Sequence, residues 1–225
     1  MVNLRRAAVL AGILVSSLAL ADPWAFGVTG GAQVDNGTVS FDRTLAGTNL
    51  VIDSVDSVVL AQLTHTWLGD LDITLTHVDT GTSVHLFQYI QGDGDTINGD
   101  STDVGDAPQA GNLTFLTTAT TSVEDAAALL GNAATIADGN YRPTQQTDGT
   151  SVTNAPNSVN TSYAGFVGES LDGTWRLTIT DKAAGDTGAL GHWELHGTGT
   201  PVPEPASLAA LGLGALALFR RRRTV

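Results

Sequence analysis

The chain has 225 residues, no cysteine, ten basic residues and twenty-three acidic ones. Without cysteine, disulfides, thiolate catalysis and cysteine-based metal sites are excluded. Six of the basic residues (Arg5, Arg6 and Arg220 to Arg223) lie in the two ends, leaving Arg43, Arg142, Arg176 and Lys182 in an acidic body that repels nucleic acid, so no nucleic-acid partner is expected.

The first segment, MVNLRRAAVLAGILVSSLALA, has a basic start, an apolar run from Ala7 to Leu20 and the small residues Ala19 and Ala21 ahead of Asp22. That pattern is a secretory signal peptide over residues 1–21, so the chain is exported and the mature protein is expected to begin at Asp22. Residues 22–34 read as a lead ahead of the folded domain, and residues 35–199 as the domain itself.

Within that body, β-branched runs alternate between turns rich in Gly, Asp, Asn and Thr. SVVLAQLTHTW (57–67) is expected to place Val59, Ala61 and Leu63 on one face. DLDITLTHV points Leu71, Ile73 and Leu75 one way and Asp72, Thr74 and Thr76 the other. SVHLFQYI and NLTFLTT read as further strands, and GTWRLTITD sets Trp175, Leu177 and Ile179 on one face. Period-two runs bounded by turn residues predict half-buried antiparallel strands. SVEDAAALLGNAA is helix-like, with Ser122 as N-cap and Gly131 as stop. The fold class is therefore an all-β antiparallel sandwich.

The tail, residues 200–225, has three parts: Pro203-Glu204-Pro205, an uncharged run from Ala206 to Phe219, and the cluster Arg220, Arg221, Arg222, Arg223. As a short hydrophobic helix at about 1.5 Å per residue, the run reaches about 21 Å, short of a hydrocarbon core of about 30 Å. Flanking arginines can snorkel, which permits a weak or temporary span with the basic end cytoplasmic. This order of motif, apolar run and arginines resembles the PEP-CTERM sorting signal of Gram-negative bacteria. The resemblance implies processing near the Pro-Glu-Pro by an exosortase, transient residence in the inner membrane, and a destination at the cell surface or in exopolysaccharide. An uncut tail anchor is the alternative.

THTWLGDLDITLTHVDTGTSVHLF, followed by YAGFVGESLDGTWRLTITDKAAGDTGALGHWEL, is similar to the P domain, or Homo B domain, of proprotein convertases and bacterial proteases. The resemblance runs from about Asp35 to Gly199 and implies a jelly-roll-like β-sandwich. It carries no catalysis: in the proteases the P domain follows a separate subtilisin-like domain, and only about 14 residues separate the signal peptide from the P-domain start, far below a domain's size.

Three fragments imitate protease sites. Asp79-Thr80-Gly81, Gly81-Thr82-Ser83 and His196-Gly197-Thr198-Gly199 each echo a subtilisin triad segment, but the chain order is wrong and Asp79 and Ser83 flank a single turn. Aspartic-protease chemistry needs two aspartates sharing a proton. A second Asp-Thr-Gly exists at Asp186, and both copies read more simply as Asp/Gly turns.

Calcium is the one cofactor the residues suggest. Asp93, Asp95, Asp100, Asp103 and Asp106 crowd one loop, where hard oxygen donors suit Ca²⁺, although the phasing is not that of an EF-hand. Asp70, Asp181 and Asp186 fall in the family's acidic turns, and the resemblance implies calcium there. A Phe-Asp-Asp-Glu-Ala segment common in the family is replaced by Phe115-Leu116-Thr117-Thr118-Ala119, so any ligands it supplies are missing. His65, His77, His85, His192 and His196 form no ligand pattern, and Trp67, Trp175 and Trp193 are expected in the core, with no role for Trp24. The expected function is an exosortase-sorted, non-catalytic module that is structural or binds exopolysaccharide or envelope proteins. The alternatives are a small secreted protease or hydrolase, or a calcium-dependent glycan-binding module.

Overall fold

The computed structural model describes residues 20–87, 111–123, 126, 135–144, 162–185, 187–202 and 212. The acidic loop with Asp93, Asp95 and Asp100, the residue Asp186, the signal peptide, and the tail residues Pro203, Glu204, Pro205 and Arg220 to Arg223 lie outside them. So does most of the helix expected after Ser122; of its described residues, Ala126 N–H donates to Ser122 O at 3.1 Å. Among the described residues no helix is long and apolar enough to cross a membrane.

Among the described residues, ten strands form two facing sheets. They are β1 (Asp22–Thr29), β2 (Thr38–Leu45), β3 (Leu50–His65), β4 (Leu71–His77), β5 (Thr82–Phe87), β6 (Gly111–Phe115), β7 (Gly139–Tyr141), β8 (Gly173–Asp181), β9 (Gly188–Ala189) and β10 (His192–Pro201). One sheet has the order β1-β10-β3-β6-β7, with β9 also on β3; the other has the order β2-β8-β4-β5. The region expected as a lead thus contains an edge strand, since β1 pairs with β10 from Asp22↔Gly199 to Thr29↔His192. The pairing is not antiparallel throughout: β6 and β7 run parallel, joined by the crossover through residues 116–138 that parallel strands require.

Strands β4 and β8 follow the alternation read from the sequence. Leu71, Ile73, Leu75, Trp175, Leu177 and Ile179 are all buried, and their neighbours face outward. Strand β3 does not. Its buried side chains are Ile52, Val55, Val58, Leu60, Leu63 and His65, with Ala61 also covered, while Val59 is only half-buried. The pairing with β10 skips Asp56 and Asp53, and that with β6 shifts between Leu60 and Leu63, where Gln62 adopts a positive φ of 55°. Each bulge inserts one extra residue and turns the following side chains over, so Val59 does not share a face with Leu63. The inserted residues Asp53, Asp56 and Gln62 are polar and exposed, which explains why period-two reading fails there.

The two inner faces close over Trp175, Trp193, Phe87, Phe115 and Phe166, all fully buried. Trp67 is a correction: it is 42% exposed beside the short 3-10 turn Leu68–Asp70. Trp24 takes the role not foreseen for it. Its ring lies over Gly197 and Gly199 of β10, where any side chain would run into it, and stacks on Phe26 at 6.0 Å. The His-Gly-Thr-Gly sequence is therefore a flat bed for an indole.

Candidate functional site

The stretch Val78–Gly81 is the hairpin between β4 and β5, and Gly81, at φ +77°, supplies the left-handed residue of the turn. Asp79 is exposed at the turn, yet its carboxylate is engaged. Its Oδ2 accepts the N–H of Thr174 at 2.6 Å, and Val78 N–H donates to Thr174 O at 2.8 Å, so the hairpin is bonded to the start of β8.

Beneath this hairpin lies a polar centre that the sequence reading missed. His77, the last residue of β4, is buried, and its ring stacks on Trp175 with centroids 4.5 Å apart. Its Nδ1 donates to Glu169 Oε2 at 2.8 Å. Thr80 Oγ1 donates to the same carboxylate at 3.0 Å, and the Thr82 hydroxyl donates to its other oxygen. Gly173, at φ +140°, closes the far side: a Cβ there would strike His77 Nε2 and come within 2.8 Å of Asp79 Oδ2. The Gly-Thr-Trp run thus has three local tasks. Gly173 makes room for the imidazole, Thr174 gives its N–H to Asp79, and Trp175 carries the stacked ring. A buried histidine demands a partner, and that demand is the signal in the sequence from which Glu169 could have been sought.

This centre is not arranged for nucleophilic catalysis. A triad needs the imidazole nitrogen opposite the carboxylate to face a nucleophile's hydroxyl. His77 Nε2 is buried, without a hydrogen-bond partner, and faces Gly173. Ser83 is exposed and pairs across with Thr76. His196 stands on the other sheet, its Nε2 bonded to Glu194 at 2.9 Å. The three triad echoes are therefore not brought together. Nor do the two Asp-Thr-Gly turns meet within one chain: the Asp79 hairpin sits at the Gly173 end of β8, whereas Thr187 follows its Asp181 end, eight residue steps or on the order of 27 Å away along the strand.

At that far end, register sets Leu71 opposite Asp181, and Lys182 N–H donates to Asp70 O at 2.9 Å, so Asp70 and Asp181 do stand on adjoining elements. Asp181 is buried. Its Oδ1 accepts Ala183 N–H at 3.1 Å, and its Oδ2 faces His65 Nε2 at 3.5 Å. Among the described residues no three His, Asp or Glu side chains gather as a metal-ligating group.

Two further polar features stand on the outer faces of the sheets. On β10, Glu194 accepts from His196 at 2.9 Å, and its other oxygen lies 3.2 Å from His192 Nε2, a row on the outer face. On the outer face of the other sheet, Arg176 forms a bidentate pair with Asp42, both bonds 2.7 Å, flanked by the hydroxyl pairs Thr44–Thr174 and Ser40–Thr178. The guanidinium holds the Asp42 carboxyl below the usual value of 3.8.

Residues 139–197 match the family model described as the proprotein convertase P-domain, and residues 201–223 match that of the PEP-CTERM protein-sorting motif. No curated protein matches the chain. Among solved structures, the chain is similar to the Aeromonas sobria serine protease in complex with its chaperone, with 21% identity and a TM-score of 0.40 over 80% of this chain and 27% of that one. It is likewise similar to the serine protease of that organism by itself, with 20% identity and a TM-score of 0.39 over 79% and 26% of the two chains. The chain thus spans about a quarter of the length of that protease. The motif implies export and sorting to the bacterial cell envelope with processing by exosortase. Matches to the proprotein convertase P-domain model, over residues 139–197, and to the PEP-CTERM protein-sorting motif, over residues 201–223, are thus both present in this chain, one directly after the other.

Proposed function

We propose that this protein is a non-catalytic P-domain module, jelly-roll-like in connectivity, that is exported across the inner membrane of a Gram-negative bacterium. There it serves as a structural or interaction protein of the envelope or the exopolysaccharide matrix. The observation that carries the reading is the sealed state of His77. The residues that most resemble a protease site are consumed in bonding a hairpin to β8. Orientation supports the sorting half of the proposal. Asp22, the expected mature start, pairs with Gly199, and Pro201 lies three residues before Glu204. Asp22 and Pro201 therefore lie at the same end of the sandwich, opposite the Asp70/Asp181 end.

Residues 22–200, expressed alone, are expected to show no turnover of broad peptide and glycan substrates. Turnover that disappears in Asp79→Ala would sink the module reading in favour of a hydrolase. Calcium enters as part of the same proposal, with two separate candidate donor groups: Asp70, Asp181 and Asp186, and the acidic loop of Asp93, Asp95 and Asp100. Isothermal titration with CaCl₂ tests it, and a blank titration removes both calcium and calcium-dependent glycan binding.

A further inference from the structure

Strand β10 ends at Pro201, only two residues before the Pro-Glu-Pro. Thr200 and Pro201 are in register with Val51 and Leu50, and Val202 N–H donates to Asn49 O at 2.8 Å. Pro203 is the next residue. The pairing is reinforced by a side-chain bond, Thr200 Oγ1 to Asp53 Oδ2 at 2.6 Å. The receiving turn, which links β2 of one sheet to β3 of the other, is itself braced: Asn49 holds a positive φ of 54°, and Asp172 accepts the N–H groups of Gly47 at 3.1 Å and Thr48 at 2.9 Å. So the last sheet bond stands one residue before the motif, with no spacer between.

Removing the tail breaks one peptide bond at the motif. Its carbonyl carbon passes to water or an acceptor amine, and the tail leaves with the nitrogen, protonated, as a new amino terminus. An enzyme that does this takes several residues on either side of the bond as an extended chain, whose backbone groups it pairs itself. Here the residues on the N-terminal side already have partners within the sheet, and buried or paired backbone groups are not surrendered without cost.

We propose that Thr200–Val202 is a latch over the sorting junction: the processing enzyme engages the Pro-Glu-Pro motif only after these three residues leave β3 and the Asn49 turn. Local opening of this corner then sets the rate at which the tail is removed, and a fully folded sandwich is released slowly. Such sub-global opening at a chain end is the low-energy class of native-state fluctuation. The latch rests on the exosortase reading above, and the test separates the two.

The full chain is produced in cells holding an exosortase, and tail loss is followed by pulse–chase, with mass spectrometry of the released body. A four-residue Gly-Ser spacer after Val202 leaves the sheet intact and frees the motif. The latch predicts a rise in the removal rate on the order of tenfold, since a few paired groups no longer have to open first. Thr200→Val, which deletes only the bond to Asp53, is expected to speed removal about threefold. Glu204→Ala, in the native and the spacer chain alike, is expected to stop it. Spacer and Thr200→Val chains processed at the native rate, with Glu204→Ala inactive, overturn the latch and leave the sorting reading standing. Removal that continues in Glu204→Ala, or no removal from any chain, overturns the sorting reading itself and the latch with it.

Discussion

His77 lies flat on Trp175, with ring planes 14° apart, and gives its Nδ1 to Glu169 at 2.8 Å. One imidazole thereby joins the end of β4, the start of β8 and the connection that follows Phe166. Truncating Glu169 to Ala leaves His77, Thr80 and Thr82 without their shared acceptor. The expected loss is about 1–3 kcal/mol, read from urea unfolding by tryptophan fluorescence. Glu169→Gln keeps an acceptor and should recover part of it. Equal stability of wild type and Glu169→Ala would mean that the network holds nothing together.

Asp79 has a structural task, so its removal should cost stability and nothing else. Asp79→Ala deletes the acceptor of Thr174 N–H and is expected to lower unfolding free energy by about 1–2 kcal/mol. A circular-dichroism melt at neutral pH measures it; an unchanged melting temperature contradicts the assignment.

Gly197 is constrained by packing. A methyl group there meets the Trp24 ring and the carbonyl of Ser54, both held by neighbouring strands. Gly197→Ala should therefore cost about 1–3 kcal/mol and shift tryptophan emission as the indole is pushed off its bed. Gly47→Ala is the contrasting case. No atom lies within 4 Å of its missing Cβ, so any loss there comes only from its positive φ of 75°.

Acid should weaken the fold in a defined direction. Asp42 is held below 3.8 chiefly by the hydrogen bond from Arg176, and Asp138 by its bonds from Asn112. At Asp172 partial burial pushes the other way and is outweighed by bonds from Thr48, Asn49 and Gly47. A carboxylate whose folded value is depressed contributes stability that is full above the unfolded value and is lost as pH falls through the folded one. The urea midpoint should thus hold steady from neutral pH down to the ordinary carboxylate range and decline below it. Asp172→Asn should flatten part of that decline, whereas a midpoint that rises on acidification would reverse the sign.

The sequence by itself was enough for the class of fold and for most of the inward faces. In β4 and β8, burial against a single core makes hydrophobicity alternate with the pleat, so Leu71, Ile73, Leu75, Trp175, Leu177 and Ile179 could be assigned from spacing alone. The order of Gly-Asp-Leu, Gly-Thr-Ser and Gly-Thr-Trp was legible for the same reason that motifs are legible at all: each is a local run with a local geometric need.

Tertiary structure alone decided what crosses between distant segments. Three bulges in β3 depend on which strands pair with it, so nothing local announced that Val59 and Leu63 part company. Glu169 meets His77 across 92 positions, Trp24 meets Gly197 from the opposite end of the domain, and Asp181 turns to His65 rather than outward. Local periodicity reports only which face is covered; the identity of the covering residue follows from long-range pairing, which no short stretch encodes. Asp79-Thr80-Gly81-Thr82-Ser83 carries the letters of a protease site, and it is the pairing of β4 with β8 that makes it a hairpin anchored to Thr174.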